Sequence, residues 1–353
     1  MLTKPLAKIS IQSKSGESAF ECSPGEPLLY AGLAQGLTLP YECATGTCGS
    51  CRGRVMSGEV ENAWPQAPGA TAAKLKADKG DVLLCQTHAR SDCVVRVPAN
   101  VVAATSPLPP PRRRAAGIAL AKLLTGDVMH IELELAEPMS FEAGQFVVVE
   151  PPDVKGGRAY SMVNHGAALG RLSFVVKRKP GGGFSDWLFG RDVTGCELSL
   201  FGPLGRAVWR PSEDRDILAI AGGSGIAGMM AILEHATRAG HFARRRGDVF
   251  FGVRTSADTF YMDELADYVA QAGGNLAVTV ALSHEPVADG VSQRGVRLAH
   301  GFVHEVARDA MRDRYGDLTA FLAGPTPMVD GAIRMLLTEA RLTPDRIRYD
   351  KFA

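Results

Sequence analysis

The sequence predicts a multidomain chain of mixed α+β and α/β class: a small α/β unit, then an antiparallel β-barrel, then a doubly wound parallel sheet. Three observations carry this. The 353 residues exceed one ordinary domain, at roughly 100 to 200 residues each. The stretch PLPPPRRRAAG, residues 107–117, reads as an extended linker, because prolines favour open backbone and consecutive arginines resist burial. At Asp216 the apolar pattern changes from short strands broken by Gly- and Pro-containing turns to strands each followed by a helix-length segment. The expected divisions are 1–103, a linker at 104–114, 115–211 and 212–353.

In the first unit, residues 7–12 alternate as a strand does, 24–35 suit a helix with an early proline, and 82–84 and 94–97 are short β-branched runs. In the second, strand signals fall at 128–135, 145–149, 172–177 and 197–200, and an antiparallel barrel is the natural closure. In the third, the apolar runs 217–221, 249–253, 276–282 and 318–323 alternate with helical segments, as a parallel sheet requires.

Charge is nearly balanced, 39 Lys and Arg against 38 Asp and Glu, so no global field favours nucleic acid or an anionic membrane. The N-terminal MLTKPLAKIS lacks the basic flank and apolar core of a signal peptide. The longest uncharged stretch, 217–233, is broken by Gly222, Gly223, Ser224, Gly225 and Gly228, and reads as strand, turn and helix instead of a membrane span. A cytoplasmic chain is expected. The arginine runs 112–114 and 244–246 read as solvated segments, and His88, His165 and His284 as ordinary surface or turn histidines.

Three of the seven cysteines lie close together, with spacing C-x4-C-x2-C at Cys43, Cys48 and Cys51, and Cys85 follows within Leu84-Cys85-Gln86. This is the plant-type arrangement for a [2Fe–2S] cluster. The small residues between them suit a loop that turns backbone N–H groups toward sulfur. A structural zinc site is the competing reading, but zinc ligands usually come as two similar short loops, whereas here one loop supplies three. Cys22, Cys93 and Cys196 have no partner spacing and read as small core residues.

Tyr41-Glu42-Cys43 through Cys51, with Leu84-Cys85-Gln86, resembles the ferredoxin domain of oxygenase reductases. Gly58-Glu59-Val60 to Trp64-Pro65-Gln66-Ala67-Pro68-Gly69 is similar to the electron-transfer components of bacterial toluene and related aromatic monooxygenases, and the resemblance extends along the whole chain. It implies a plant-type ferredoxin β-grasp domain, an FAD-binding antiparallel β-barrel and an NAD-binding domain.

Arg158-Ala159-Tyr160-Ser161 resembles the RxYS motif of the ferredoxin reductase superfamily. Alternation puts Arg158 and Tyr160 on one face, where a guanidinium can fork onto phosphate and a phenol ring can lie on a flavin. The family implies that Ser161 bonds near the flavin atom that receives hydride. Gly182, Gly183, Phe184 and Ser185 precede a helix whose free N–H groups suit a pyrophosphate. The family also implies FAD over FMN, and Phe352 as a terminal ring that covers the flavin until nicotinamide displaces it.

Gly222, Gly223, Ser224 and Gly225 follow the first strand of the third unit and open a helix, so a dinucleotide phosphate can approach. The segment resembles the superfamily's GGxGIAP loop, with Gly228 where that motif has proline. Ala323-Gly324-Pro325-Thr326-Pro327-Met328 resembles CGPxxM, with alanine in place of the cysteine that the family sets beside the nicotinamide. Gly324, Pro325 and Met328 are therefore further candidate NAD contacts. Arg254 could hold a 2′-phosphate, yet the family points to NADH, with NADPH as the alternative.

A hydride carries two electrons and a [2Fe–2S] cluster accepts one, so a chain with both sites needs a carrier that works in either mode, and flavin is one. The expected activity passes electrons from NADH through FAD and the cluster to a terminal oxygenase, or its Rieske or ferredoxin component, acting on an aromatic or related hydrophobic compound. The protein is expected to be a monomer. Two alternatives are a self-sufficient flavin reductase or NADH oxidase, and a non-catalytic redox-sensing module.

Overall fold

The computed structural model describes residues 5–72, 75–288 and 290–352; the first four residues of the N-terminal stretch read above, and Ala353, lie outside them. The first unit holds β1 (Ala7–Ser13), β2 (Gly16–Cys22), α1 (Leu28–Ala34), β3 (Arg52–Ser57), β4 (Val60–Asn62), α2 (Pro68–Ala72), β5 (Asp81–Leu83), β6 (Thr87–Ala89) and β7 (Cys93–Arg96). Its five-stranded sheet runs β2-β1-β7-β3-β5, with β1 antiparallel to β2 and parallel to β7. The helix expected at 24–35 starts only at Leu28, because Gly25 sits at φ +79 in a turn closed by Glu26 N–H on the Ser23 carbonyl. Pro27, with φ −62, is its last extended residue. Leu28, Leu29, Tyr30, Ala31 and Leu33 of α1 are buried. Strand β2 escapes a periodicity reading because only Phe20 and Cys22 along it are buried.

The second unit holds β8 (Arg112–Thr125), β9 (Val128–Met139), β10 (Phe146–Glu150), β11 (Arg158–Ser161), β12 (Leu169–Lys177), α3 (Gly183–Phe189) and β13 (Glu197–Leu204). Order is β11-β10-β13-β8-β9-β12, with every pairing antiparallel. Val163 N–H to the Ser173 carbonyl at 2.8 Å and Asn164 to Arg171 and Ser173 tie the two outer strands together, closing the barrel. The linker stops earlier than expected. Arg112, Arg113 and Arg114 are not solvated linker: they open β8 opposite Gly202, Phe201 and Leu200. Each is also partnered, Arg112 by Glu137, Arg113 by Glu150 and Arg114 by the Gly202 carbonyl.

The third unit holds β14 (Asp216–Gly222), α4 (Ile226–Arg238), β15 (Gly247–Val253), α5 (Met262–Gln271), β16 (Leu276–Leu282), β17 (Ser292–Gln293), β18 (Val296–His300), α6 (Val303–Met311), β19 (Leu318–Pro325), α7 (Thr326–Thr338) and β20 (Ile347–Phe352). The sheet order is β17-β18-β16-β15-β14-β19-β20, parallel except for β17. β14 lies between β15 and β19, so the chain order reverses there and the carboxyl ends of β14 and β19 form the binding crevice of an open α/β sheet. Arg244 and Arg245 pair with Asp214 and are not free of partners either.

The cores do not stop at the unit boundaries. Phe146, Val148, Phe201 and Leu204 of the barrel belong to the core of the first unit, and Val128, Ala143 and Val175 to the core that includes α4. Tyr30 of α1 stacks on Phe201 of β13, ring centroids 4.1 Å apart and planes 5° from parallel, with Arg113 on the same ring. The three units are thereby held in one arrangement. Among the described residues no helix is long and apolar enough to cross a membrane.

Candidate functional site

The cysteine loop turns back on itself between α1 and β3, with Ala44, Gly46 and Gly49 all at positive φ. The four thiols fall into two pairs. Thr45 and Cys48 N–H groups each point at Cys43 Sγ at 3.4 Å, while Cys51 Sγ lies 3.2 Å from Cys85 Sγ. Cys48's thiol, then Thr47's hydroxyl and the amides of Thr45 and Cys48, pull the Cys43 thiol down against its burial, while the same pairing pushes Cys48 up and the Cys51 contact pushes Cys85 up. Among the described residues no group of three or more His, Cys, Asp and Glu could hold a single metal ion. Two pairs of thiolates suit a two-iron cluster, each iron taking two, and do not suit one tetrahedral zinc. Cys22 and Cys93 are buried and Cys196 is half-buried, all as free thiols.

A cavity of about 500 Å³ opens beside this loop. From the cysteine loop it is lined by Cys43, Thr45 and Thr47, from β11 by Arg158, Tyr160 and Ser161, and from the α3 turn by Gly182, Gly183, Phe184 and Ser185. Ser224 of the third unit and the C-terminal Phe352 complete it. Thus the expected flavin residues converge on one cavity. Phe184 is buried against Tyr160 and Trp187 in the barrel core, and Ser185 uses its hydroxyl to close the turn on Lys179. Their backbone, not their side chains, is what the cavity can use.

The nicotinamide candidates converge as well. An added Cβ on Gly225 would lie 2.2 Å from the Ala323 carbonyl oxygen, and one on Gly324 would lie 2.6 Å from Met328 Cε. The two glycine turns at the ends of β14 and β19 therefore rest directly on each other, with Met328 over both. Gly228 is not demanded by space, since a Cβ there would make ordinary contact with Ser161 Cβ at 3.5 Å. Parallel register sets Phe352 opposite Pro325, which brings the C-terminal ring to the same crevice. Arg254 is exposed at the end of β15. Beside it, Glu285 accepts the Ser256 N–H at 2.7 Å and its hydroxyl at 2.9 Å.

Other residues at the site carry no motif. Trp64 and Pro68 line the large cavity from the segment whose Gly69 N–H bonds the Gly46 carbonyl at 2.8 Å; only the 64–69 family likeness hints at them. Asp350 lies in a small gap of about 40 Å³ shared with Cys43, Phe146 and Ser161. Burial, with Glu42 adding to it, pushes the Asp350 carboxyl up to about 7. Tyr41 holds the loop down through Gly205 N–H, which donates to its hydroxyl at 3.1 Å. Another cavity, of about 460 Å³ around Arg308, Arg312 and Tyr315, shares none of these residues.

Comparison with known proteins agrees with this division of labour. A 2Fe-2S iron-sulfur cluster binding domain matches residues 11–90, an oxidoreductase FAD-binding domain residues 117–209 and an oxidoreductase NAD-binding domain residues 219–334. The chain is 36% identical to the ferredoxin–NAD(+) reductase component of an alkene monooxygenase system from Xanthobacter autotrophicus, over 95% of this chain and 98% of the relative. It is 34% identical to a ferredoxin–NAD(P)(+) reductase from Metapseudomonas resinovorans, over 96% and 98%. The solved ferredoxin reductase in carbazole 1,9a-dioxygenase superposes with TM-score 0.82 at 31% identity, covering 99% of this chain and 100% of that one.

Proposed function

Because this chain belongs to the ferredoxin–NAD(P)+ reductase components of oxygenase systems, an oxidoreductase class using NADH, FAD and a [2Fe–2S] cluster, we propose which residues perform each step. One observation carries the reading: a single cavity is bounded by the cysteine loop, the RAYS strand, the GGSG turn and the C-terminal aromatic ring. When bound, flavin accepts a hydride and returns its electrons singly to an iron-sulfur centre. The chain supplies the positioning.

In this reading Cys43 and Cys48 hold one iron, and Cys51 and Cys85 the other. Arg158 and the 183–185 amides would receive the FAD diphosphate, the Gly182 N–H being taken by the Lys179 carbonyl at 2.8 Å; Tyr160 would flank the ring system and Ser161 would donate to it. Phe352, which lines the same cavity, would cover the ring in the absence of nicotinamide. The 222–225 turn takes the NADH phosphates, with Gly324, Pro325 and Met328 beside the nicotinamide. Glu285 favours NADH, because its carboxylate would repel a 2′-phosphate that Arg254 alone would have to hold. Ala323 leaves hydride transfer to rely on orientation without a neighbouring thiol.

The partner class is a terminal oxygenase or its ferredoxin, reached by single-electron transfer. We further propose that the oxygenase acts on an aromatic or related hydrophobic compound and that the reductase works as a cytoplasmic monomer. The shared cavity counts against an incidental cluster, since Cys43 lines the flavin side directly. An anaerobic visible spectrum before and after NADH tests this. Flavin and iron-sulfur absorption should both bleach, and a protein without these bands would overturn it.

A further inference from the structure

A knot of polar and aromatic side chains lies where the barrel meets the third unit. His165, in the loop between β11 and β12, is only 7% exposed and is not the surface histidine that the sequence suggests. All its polar atoms are engaged. Its N–H donates to Glu234 Oε2 at 2.6 Å, and its carbonyl accepts from Arg238 Nη1 at 2.9 Å. Its Nδ1 lies 2.9 Å from Arg238 Nη2 and its Nε2 lies 3.0 Å from the Phe141 carbonyl. Arginine only donates, so Nδ1 is the acceptor and the ring proton sits on Nε2, facing Phe141. The ring stacks on His235 at 4.2 Å, and Trp209 meets His235 edge-on at 5.0 Å.

Glu234, His235 and Arg238 lie in the last turns of α4, which begins at Ile226 directly after the 222–225 turn proposed to hold NADH. Along the same helix, Gly228 faces Ser161 and the Gly144 carbonyl, and Ile232 Cδ1 would lie 3.4 Å from a Cβ on Gly144. One rigid helix thus touches the flavin serine at one end and is fastened to the barrel at the other.

We propose that His165 is a positioning residue for hydride transfer, pinning the far end of α4 so that the glycine turn at its near end stays in register with Ser161. The proposal rests on the assignment of Ser161 to flavin and of residues 222–225 to nicotinamide. Losing the pin leaves both half-sites intact but lets them drift, and a misplacement of about 1 Å between reacting centres can cost on the order of a hundredfold in rate. NADH affinity should hardly change, because the residues proposed to hold it, 222–225, Gly324, Pro325 and Met328, all belong to the third unit.

The test uses the full-length holoprotein with His165→Ala and, separately, Arg238→Gln. Expected are a fall of about ten- to a hundredfold in the rate of flavin bleaching at saturating NADH and a KM within about threefold of wild type. The flavin-to-cluster step, measured after photoreduction, should be unaltered. Hydrogen exchange on the FAD-free protein should rise in peptides 162–168 and 226–238 and stay constant in the first unit. A lower melting temperature with unchanged bleaching rate per bound FAD in both variants would show a merely structural knot and overturn the proposal. Absence of NADH bleaching in the wild type would instead overturn the underlying site assignment.

Discussion

Gly225→Ala separates the nicotinamide assignment from general stability. Gly225 has φ −61 and ψ −18, which alanine adopts freely, so backbone strain does not contribute. The obstruction is steric: the new Cβ would stand 2.2 Å from the Ala323 carbonyl oxygen and 2.6 Å from its carbon. Ordinary carbon–oxygen contact begins at about 3.3 Å, so the turn must retreat by about 1 Å from the end of β19. Overpacking of this kind costs about 1–3 kcal/mol. The same 1 Å separates the phosphate turn from Gly324, and a misplacement of that size costs on the order of a hundredfold in hydride transfer. Stopped-flow bleaching of flavin by NADH reads the rate, and the resting spectrum reports whether FAD and cluster are retained. A variant with both cofactors bound and a wild-type bleaching rate would refute the reasoning.

Other outcomes are expected on the same grounds. Cys48→Ser should abolish electron delivery to the oxygenase partner while sparing NADH oxidation by a two-electron dye, checked in paired assays. Glu285→Gln should shift the kcat/KM ratio toward NADPH by about tenfold, because one like charge leaves the 2′-phosphate position. Gly228→Ala should raise the melting temperature, worth about 0.5–1 kcal/mol, since its Cβ fits and glycine weakens a helix. Burial, with His165 and Arg238 adding, holds His235 down at about 4 against an ordinary 6.5, and burial lowers His165 too. The unfolded chain therefore binds these protons more readily, so stability is full above 6.5 and declines as pH falls toward 4. Thermal melts from pH 7 to 4.5 should show this decline, and His235→Phe should lessen it.

Much of the architecture was legible because its signals are local. Cysteine spacing marks the cluster loop, and apolar runs at 276–282 and 318–323 mark parallel strands, since a strand buried on both faces needs no partner to be recognised. What was hidden depends on partners distant in sequence. Arg112 to Arg114 look like solvated linker until β13 supplies their ladder and Glu137 and Glu150 their charges. His165 looks ordinary because its ligands lie at 141, 234 and 238. Trp64 and Asp350 reach the site only through the packing of the first unit on the barrel and the β19–β20 register. Ser185 shows the opposite case, a motif residue whose side chain the local turn consumes.

The central claim is that one cavity joins hydride acceptance to single-electron delivery. Anaerobic stopped-flow mixing with one equivalent of NADH, followed across the visible spectrum and quenched for electron paramagnetic resonance, tests it directly. Flavin absorption should fall first and the signal of a reduced [2Fe–2S] centre should then grow within the same molecules. A fully reduced flavin beside a cluster that stays oxidised would contradict the account.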